Sequence, residues 1–581
     1  MFPEFSEYSV EIKDKEFIRE DGKKFRQSVV LILVSPDGHH KDEVVLGYLE
    51  EAEMFRMISE GETMNIDQCY IDQLSLSDYR KKHDLERKEL VKLVGFTACN
   101  SFFNNTHVID FEYAEFAESE VSFEHSFFAK SAISMHGAII RSGGMNFSNT
   151  KLPSGNLDFT NLHVEQGEIN FKNTIFGVGN IDFQDAVFGD GEVEFTNADF
   201  NDGDVSFVNT QFANGKISFK VAHFGTGKID FHFAKMGGGD VSFERTEFGN
   251  GKIDFRTVEF GTGRVNFNRA VFGDGDISFE ASQLKNGKIS FTRAAFGEGD
   301  LTFELAEYDD VDANFDRVDF GAGNISFYNA RFKKLFLTSC HFDYYLDLRV
   351  ARCRYIDLSD SIVRDIMDLQ PYEFEIDVDT INFSGMRLIG RIYIDWEKNH
   401  VKRLIMSQTD TSKRLKAEQF RTLKENFNIT GKYSDEDKSY VEFKRQESLA
   451  ILEEGIKKNP VSAIWLYPLY AFKLVVLDWA GLYATNPVRV MISMLVSYSI
   501  FSLIAAVMTL SSKTYLISSM GESSLTVVGK AFYYIAITFL TIGYGDYYPA
   551  GHLHWLAGIV GWVGLFLMSY FTVAFVRKIL R

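Results

Sequence analysis

Cysteine is scarce in this chain. The 581 residues hold four, at Cys69, Cys99, Cys340 and Cys353, scattered and without a C-x-x-C pair. That distribution argues against a disulfide framework or a thiolate metal site and leaves reduced core residues as the expectation. Proline is scarce too, at 8. The 13 histidines are dispersed, and neither a phosphate-binding loop nor a Ser-His-Asp arrangement is present. No catalytic constellation follows, so an enzyme is not expected, and no cofactor is implied. The opening MFPEFSEYSVEIKDKEF is charged and lacks an apolar h-region. It does not read as a signal peptide, so the large N-terminal part is expected to stay in the cytoplasm. Positive charge is the minority: the formal net charge is −20. The length predicts several domains.

Phenylalanine (55 residues) and glycine (45) are in excess, and both excesses are periodic. Phe recurs every twelve residues from Phe171 to Phe303 without exception. A second aromatic or apolar series follows five residues later, from Phe176 and Phe188 to Tyr308. Ile or Val precedes the first series by two (Ile169, Ile181, Val193), and small residues precede the second by two (Ala186, Ala198, Thr210). Glycines such as Gly167, Gly179 and Gly191 open each unit. The consensus G-x-[IV]-x-F-x-x-[AT]-x-F-G-x runs from Ile109 to Phe332 and makes 19 units. Self-similarity at a fixed period means a solenoid. Apolar residues at i and i+2 point inward from short strands.

The five-residue step resembles the pentapeptide-repeat family, whose units form the four sides of a right-handed β-helix. The resemblance implies a right-handed quadrilateral β-helix, with each second side lengthened by two residues that bear the glycine turn. A twelve-residue coil leaves too small a bore for two Phe, an Ile and an Ala, whereas a coil of about 24 residues seats Phe ladders on four sides. Nineteen units then give nine to ten turns and a rod of about 45 Å. Its interior is filled and is no ligand tunnel. After Phe332 the period shortens towards plain pentapeptide spacing. The exposed acids of GDGEVE and GDGDIS read either as a solvated face or as a Ca²⁺ site like that of nonapeptide β-rolls. The period differs from those rolls, and Lys216, Lys228, Lys252, Arg264 and Lys288 fill the same places, which favours the solvated face.

Two uncharged apolar runs lie near the C-terminus: Val490–Leu510, of 21 residues, and Trp555–Val576, of 22. Either is long enough to cross a hydrocarbon core. Between them, Ser511–Leu525 is polar and reads as an outer turret, and Thr526–Leu540 is short and apolar, as suits a re-entrant pore helix. Then comes Thr541-Ile542-Gly543-Tyr544-Gly545-Asp546. This T-x-G-Y-G-D, set between two such runs, resembles the selectivity filter of two-transmembrane potassium channels. The resemblance implies that the carbonyls of Thr541, Ile542, Gly543 and Tyr544 are the K⁺ ligands and that Gly545 and Asp546 support the filter. It places Tyr533 and Tyr534 in an aromatic cuff, a role that overlaps with plain packing. It also implies a homotetramer in a lipid bilayer, with K⁺ the only metal. Gly564 lies one residue from the family's hinge position; Gly564 and Gly561 are candidates for a gating hinge or for close helix packing. Leu540 and Ile537 depart from the family's pattern, so its inactivation behaviour is not carried over. No arginine-rich voltage-sensing helix is present. Arg489 before the first run, and Arg577, Lys578 and Arg581 after the second, put both ends in the cytoplasm of an inner or plasma membrane.

The segments divide as 1–65, a cap or a sensor module; 66–400, the solenoid; 411–458, a helical linker broken at Thr430-Gly431; 461–485, apolar with Lys473, Asp478 and Pro468; and 488–581, the pore domain. The linker resembles those between pentapeptide repeats and membrane segments in bacterial proteins, and also suits a capping helix pair. Segment 461–485 reads as an interfacial helix on the inner leaflet, the other reading being a third span. The function expected is a homotetrameric potassium-selective channel whose cytoplasmic solenoid regulates or scaffolds the pore. The alternative is a membrane-anchored solenoid scaffold or DNA mimic that binds protein. The interleaved Lys and Arg interrupt the negative stripe a mimic needs, and no nucleic-acid partner is expected.

Overall fold

The computed structural model describes residues 2–105, 107–510, 514–519, 521 and 525–580. The chain divides into two compact units, Met1–Gln408 and Thr409–Arg581.

The first unit is a β-solenoid of about 14 turns whose coils repeat at about 24 residues. One coil shows why. Its two-residue strands Ile169–Asn170, Ile175–Phe176, Ile181–Asp182 and Val187–Phe188 lie on four sides. Each pairs in parallel with the chain 24 residues on: Ile169 with Val193, Ile175 with Asp199, Ile181 with Val205 and Val187 with Gln211. The residues two apart on each side, Ile169 with Phe171 and Ala186 with Phe188, are buried. Phe171 stacks on Phe195 at 4.9 Å and Phe183 on Phe207 at 4.9 Å, while Phe171 meets Phe183 edge-on at 6.0 Å. Phe176 likewise stacks on Phe200 at 4.9 Å and Phe188 on Phe212 at 5.1 Å, so four ladders of rings fill the bore, each contact adding about 1 kcal/mol beyond area burial. Every third small inward position from Thr174 to Thr246 is threonine, and its hydroxyl has a use: Thr210 Oγ1 donates to the Phe183 carbonyl at 2.8 Å.

The expected nine to ten turns fall short. Coils that drop the twelve-residue pattern extend the stack at both ends, to roughly 65 Å at the parallel-strand spacing. In the first, Met64 pairs with Phe96, and helix α2 (Leu76–Lys82) bulges from a corner; α1 (Glu51–Glu60) precedes it. In the last, Ile325 pairs with Leu346 and Leu346 with Met367, a shortened coil of 21 residues, before Met367 pairs with Ile392, 25 on. Coil length changes in the exposed corners while the inward residues stay in register. Residues before the stack form three antiparallel strands, Glu7–Lys13, Gln27–Val34 and Lys41–Tyr48. The third pairs in parallel with Cys69–Ile71 and extends one side of the solenoid. α3 (Val401–Met406) follows the last coil.

The corners carry what the repeat left unread. The second residue after each Phe is left-handed at every twelfth position from Asn149 to Asn329, even where it is Val221, with φ of 56°. Asparagine tolerates that conformation and valine does not. Val221→Asn is therefore expected to stabilise the solenoid by about 1 kcal/mol, seen as a higher urea midpoint; a lower midpoint would contradict the assignment. The glycine corners are close backbone approaches: a Cβ on Gly191 would lie 1.7 Å from the Gly167 carbonyl oxygen. The corner acids are exposed but not merely solvated. Asn180 Oδ1 accepts from Asp204 N at 3.1 Å, and Asp204 Oδ1 from Lys228 N at 2.7 Å, so each side chain holds the next coil's backbone. Burial pushes the Cys69, Cys340 and Cys353 thiols up to about 12, which makes them unreactive.

The second unit is helical. α4 (Lys413–Ile429) and α5 (Tyr433–Lys458) form an antiparallel pair that turns at Gly431, whose φ is 72°. α6 (Ala463–Phe472) continues as a π-helical stretch, Lys473–Trp479. Then come α7 (Pro487–Thr509), α8 (Val527–Phe539) and α9 (Leu553–Ile579).

Candidate functional site: a loop carried between two apolar helices

Among the described residues, three stretches are long and apolar enough to cross a membrane: Pro460–Trp479, α7 and α9. α7 begins where Asn486 Oδ1 accepts from Arg489 N at 3.0 Å, with Pro487 in the first turn. α8 begins where Thr526 Oγ1 accepts from Gly529 N at 3.2 Å. Its 13 residues reach about 20 Å, short of a crossing. α8 is held instead between its neighbours. Ala505 and Ala506 of α7, Tyr534, Ile535 and Phe539 of α8, and Val560 and Leu567 of α9 share one core. Gly564 makes the α8–α9 crossing possible: a Cβ there would lie 2.0 Å from the Phe539 carbonyl oxygen. Gly558 and Gly561 have nothing within 4 Å of a Cβ.

α8 ends directly at the loop. Thr541, Gly543 and Gly545 have positive φ, of 55°, 59° and 73°. The glycines supply that conformation at little cost; the left-handed Thr541 has no such signal in the sequence. The end next to α8 is tied by Ile542 N, which donates to the Ile537 carbonyl at 2.8 Å. The far end is tied by a two-stranded ribbon in which Tyr515–Ser518 pairs antiparallel with Tyr547–Ala550. Ser519 N also donates to the Asp546 carbonyl at 2.9 Å. The expected turret lies partly outside the described residues, at 511–513, 520 and 522–524. Its described part contains this strand, which the polar composition of the segment hid.

The two tyrosines of α8 separate. The Tyr533 hydroxyl hydrogen-bonds Asp546, and its ring meets Tyr547 at 5.8 Å. Tyr534 is buried in the helical core. Ile542 is 48% and Tyr544 73% exposed. One Asp546 carboxylate oxygen, Oδ1, is buried with no hydrogen-bond partner within the single chain. Among the described residues no group of three or more His, Cys, Asp or Glu is placed to hold a metal ion.

The sequence motif did not reveal the contacts at the other end of these helices. The Tyr570 hydroxyl of α9 donates to the Leu477 carbonyl and accepts from Ala484 N, each at 2.8 Å. These ties join the segment before α7 to α9. The arrangement presents a short loop, tied at both ends, after a half-length helix packed between two membrane-length ones.

Residues 493–581 match the family model described as an ion channel. The match takes in most of α7, the loop and α9, and ends outside the solenoid. No curated protein and no solved structure matches the chain. The chain is thus a membrane protein with an ion-channel domain at its C-terminus, preceded by a β-solenoid.

Proposed function

We propose that the chain is one subunit of a homotetrameric potassium-selective channel, with Thr541–Tyr544 as the filter strand and the solenoid as a cytoplasmic regulator or scaffold. The observation that carries this reading is positive φ at every second residue of Thr541–Gly545. A backbone that alternates hand turns successive carbonyls to one side, and a ring of carbonyls facing one axis is what replaces the water shell of K⁺. One strand cannot surround an ion; four can. The exposed Tyr544 and Ile542, the open Gly558 and Gly561, and the unpartnered Asp546 oxygen all support copies packed around that axis.

Both termini belong on the cytoplasmic side, since Arg489 precedes the first uncharged run and Arg577 and Lys578, in the last turn of α9, directly follow the second. The same reasoning included Arg581, which lies outside the described residues. Segment 460–479 belongs at the inner interface despite its length. It runs beside α5: a Cβ on Gly455 would meet Leu466 at 2.5 Å, and Arg445 bonds Asp478 at 2.8 Å. α5 carries Lys444, Glu447, Glu453, Glu454 and Lys457. A crossing would drag those charges towards the hydrocarbon, at a cost of several kcal/mol. The aromatic residues Trp465 and Trp479 suit the headgroup level. Imaging of the purified full-length protein, with ⁸⁶Rb⁺ uptake into liposomes, tests the assembly. Fourfold particles and uptake above empty liposomes are expected; a monomer or dimer would reject the reading.

A further inference from the structure

The end of α9 is gripped by the linker helix. Arg577 lies 2.9 Å from Asp437 and 3.9 Å from Glu436, and Lys578 lies 3.3 Å from Asp437. The Arg577 guanidinium also sits 4.7 Å from the Tyr440 ring centroid. Glu436 and Asp437 are buried, an unusual place for two adjacent acids. About 12 Å further along α5, Arg445 makes a two-pronged pair with buried Asp478, both contacts at 2.8 Å, and is backed by Glu442 at 2.7 Å. One helix therefore holds two points of the pore domain: the last turn of α9 and the segment that leads into α7.

Adjacent buried acids are poor choices for packing alone. Both acids are buried and both face Arg577, so parting them from it weakens the compensation of buried charge, and the contact favours one arrangement over intermediate ones. Such a contact transmits displacement rather than absorbing it. We propose that Glu436 and Asp437 are gate-positioning residues: with Arg577 and Lys578 they latch the inner end of α9 to α5, so that any displacement of α5 is delivered to the mouth of the pore. The inference rests on the channel reading, under which the end of α9 is that mouth. The acids do not touch the permeant ion. They act through the two cations, and they set how often the pore is open rather than what passes through it.

Single-channel recording of the full-length protein in planar bilayers tests this. Asp437→Asn and Arg577→Gln are each expected to change the open-to-closed ratio by about tenfold or more, with unitary conductance and K⁺ over Na⁺ permeability unchanged. The double variant is expected to shift gating no further than the larger single one, because both remove the same contact. Asp437→Glu, which keeps the charge, is expected to restore gating close to that of the parent. Lys578→Gln removes one arm from a half-exposed side chain and is expected to shift gating in the same direction by less. It serves if the buried variants fail to assemble. Wild-type gating in Arg577→Gln and Lys578→Gln, or additive effects in the double variant, would overturn the latch. A potassium-selective current indifferent to all of these variants overturns the latch alone, whereas a chain with no such current overturns the channel reading and the latch with it.

Discussion

Gly543→Ala is expected to abolish potassium permeation while leaving the protein folded. Gly543 has φ of 59°, where an alanine is strained by about 1 kcal/mol or more in each subunit. The loop is short and tied at both ends, by Ile542 N to the Ile537 carbonyl and by Ser519 to Asp546. An alanine can relieve its strain only by rotating the flanking peptides, which swings their carbonyls off the axis. Carbonyl rings fail as a unit, since an ion that loses one ring meets an unsolvated gap. Rubidium uptake is expected to fall about 100-fold or more, the equivalent of roughly 2.7 kcal/mol on the barrier. Folding should be spared, because the added Cβ meets nothing within 4 Å. Undiminished uptake by Gly543→Ala would remove the loop from the conduction path.

Gly564→Val is expected to fail in the opposite way, by loss of packing first and conduction second. The new Cβ would lie 2.0 Å from the Phe539 carbonyl oxygen, an atom of backbone that cannot rotate aside. Phe539 closes α8, and Thr541 follows two residues later. Either α9 must move out or the end of α8 must shift. Overpacking of this kind costs up to about 3 kcal/mol in each subunit. The melting temperature and the yield of assembled protein should both fall, and the surviving protein should conduct poorly. Gly561→Ala is the control, since nothing lies within 4 Å of its Cβ in the subunit. Equal stability of the two variants would mean that the α8–α9 crossing is not as described.

Much of this architecture was legible because it is periodic or motif-like. The inward pairs Ile169/Phe171 and Ala186/Phe188 recur at fixed spacing, and the volume of two phenylalanines per unit demands the larger coil, as the 24-residue pairing of Ile169 with Val193 shows. The number of turns was not legible. The end coils, such as that from Met64 to Phe96, change length in the corners, where no inward residue marks the count. The left-handed corners escaped because Asn, Val, Phe and Arg all occupy them: the backbone is set by the stacked coil around it and not by local propensity. The corner acids looked merely solvated because their acceptor role is visible only once Asp204 is seen beside Lys228 N of the next coil. Of the candidate site, the glycines of Thr541–Asp546 stood out in the sequence. The strand pair that ties the loop and the left-handed Thr541 did not. Nor did the grip of α5 on α9, since Asp437 and Lys578 are 141 residues apart and charged residues on a helix pattern read by default as a solvent face.

The most direct measurement is the reversal potential of the full-length protein in a planar bilayer with K⁺ on one side and Na⁺ on the other. A potassium-selective pore gives a reversal potential displaced strongly towards that of K⁺, in single channels that pass Rb⁺ nearly as well and exclude Na⁺. A reversal potential at zero, with Na⁺ carried as readily as K⁺, would contradict that selectivity.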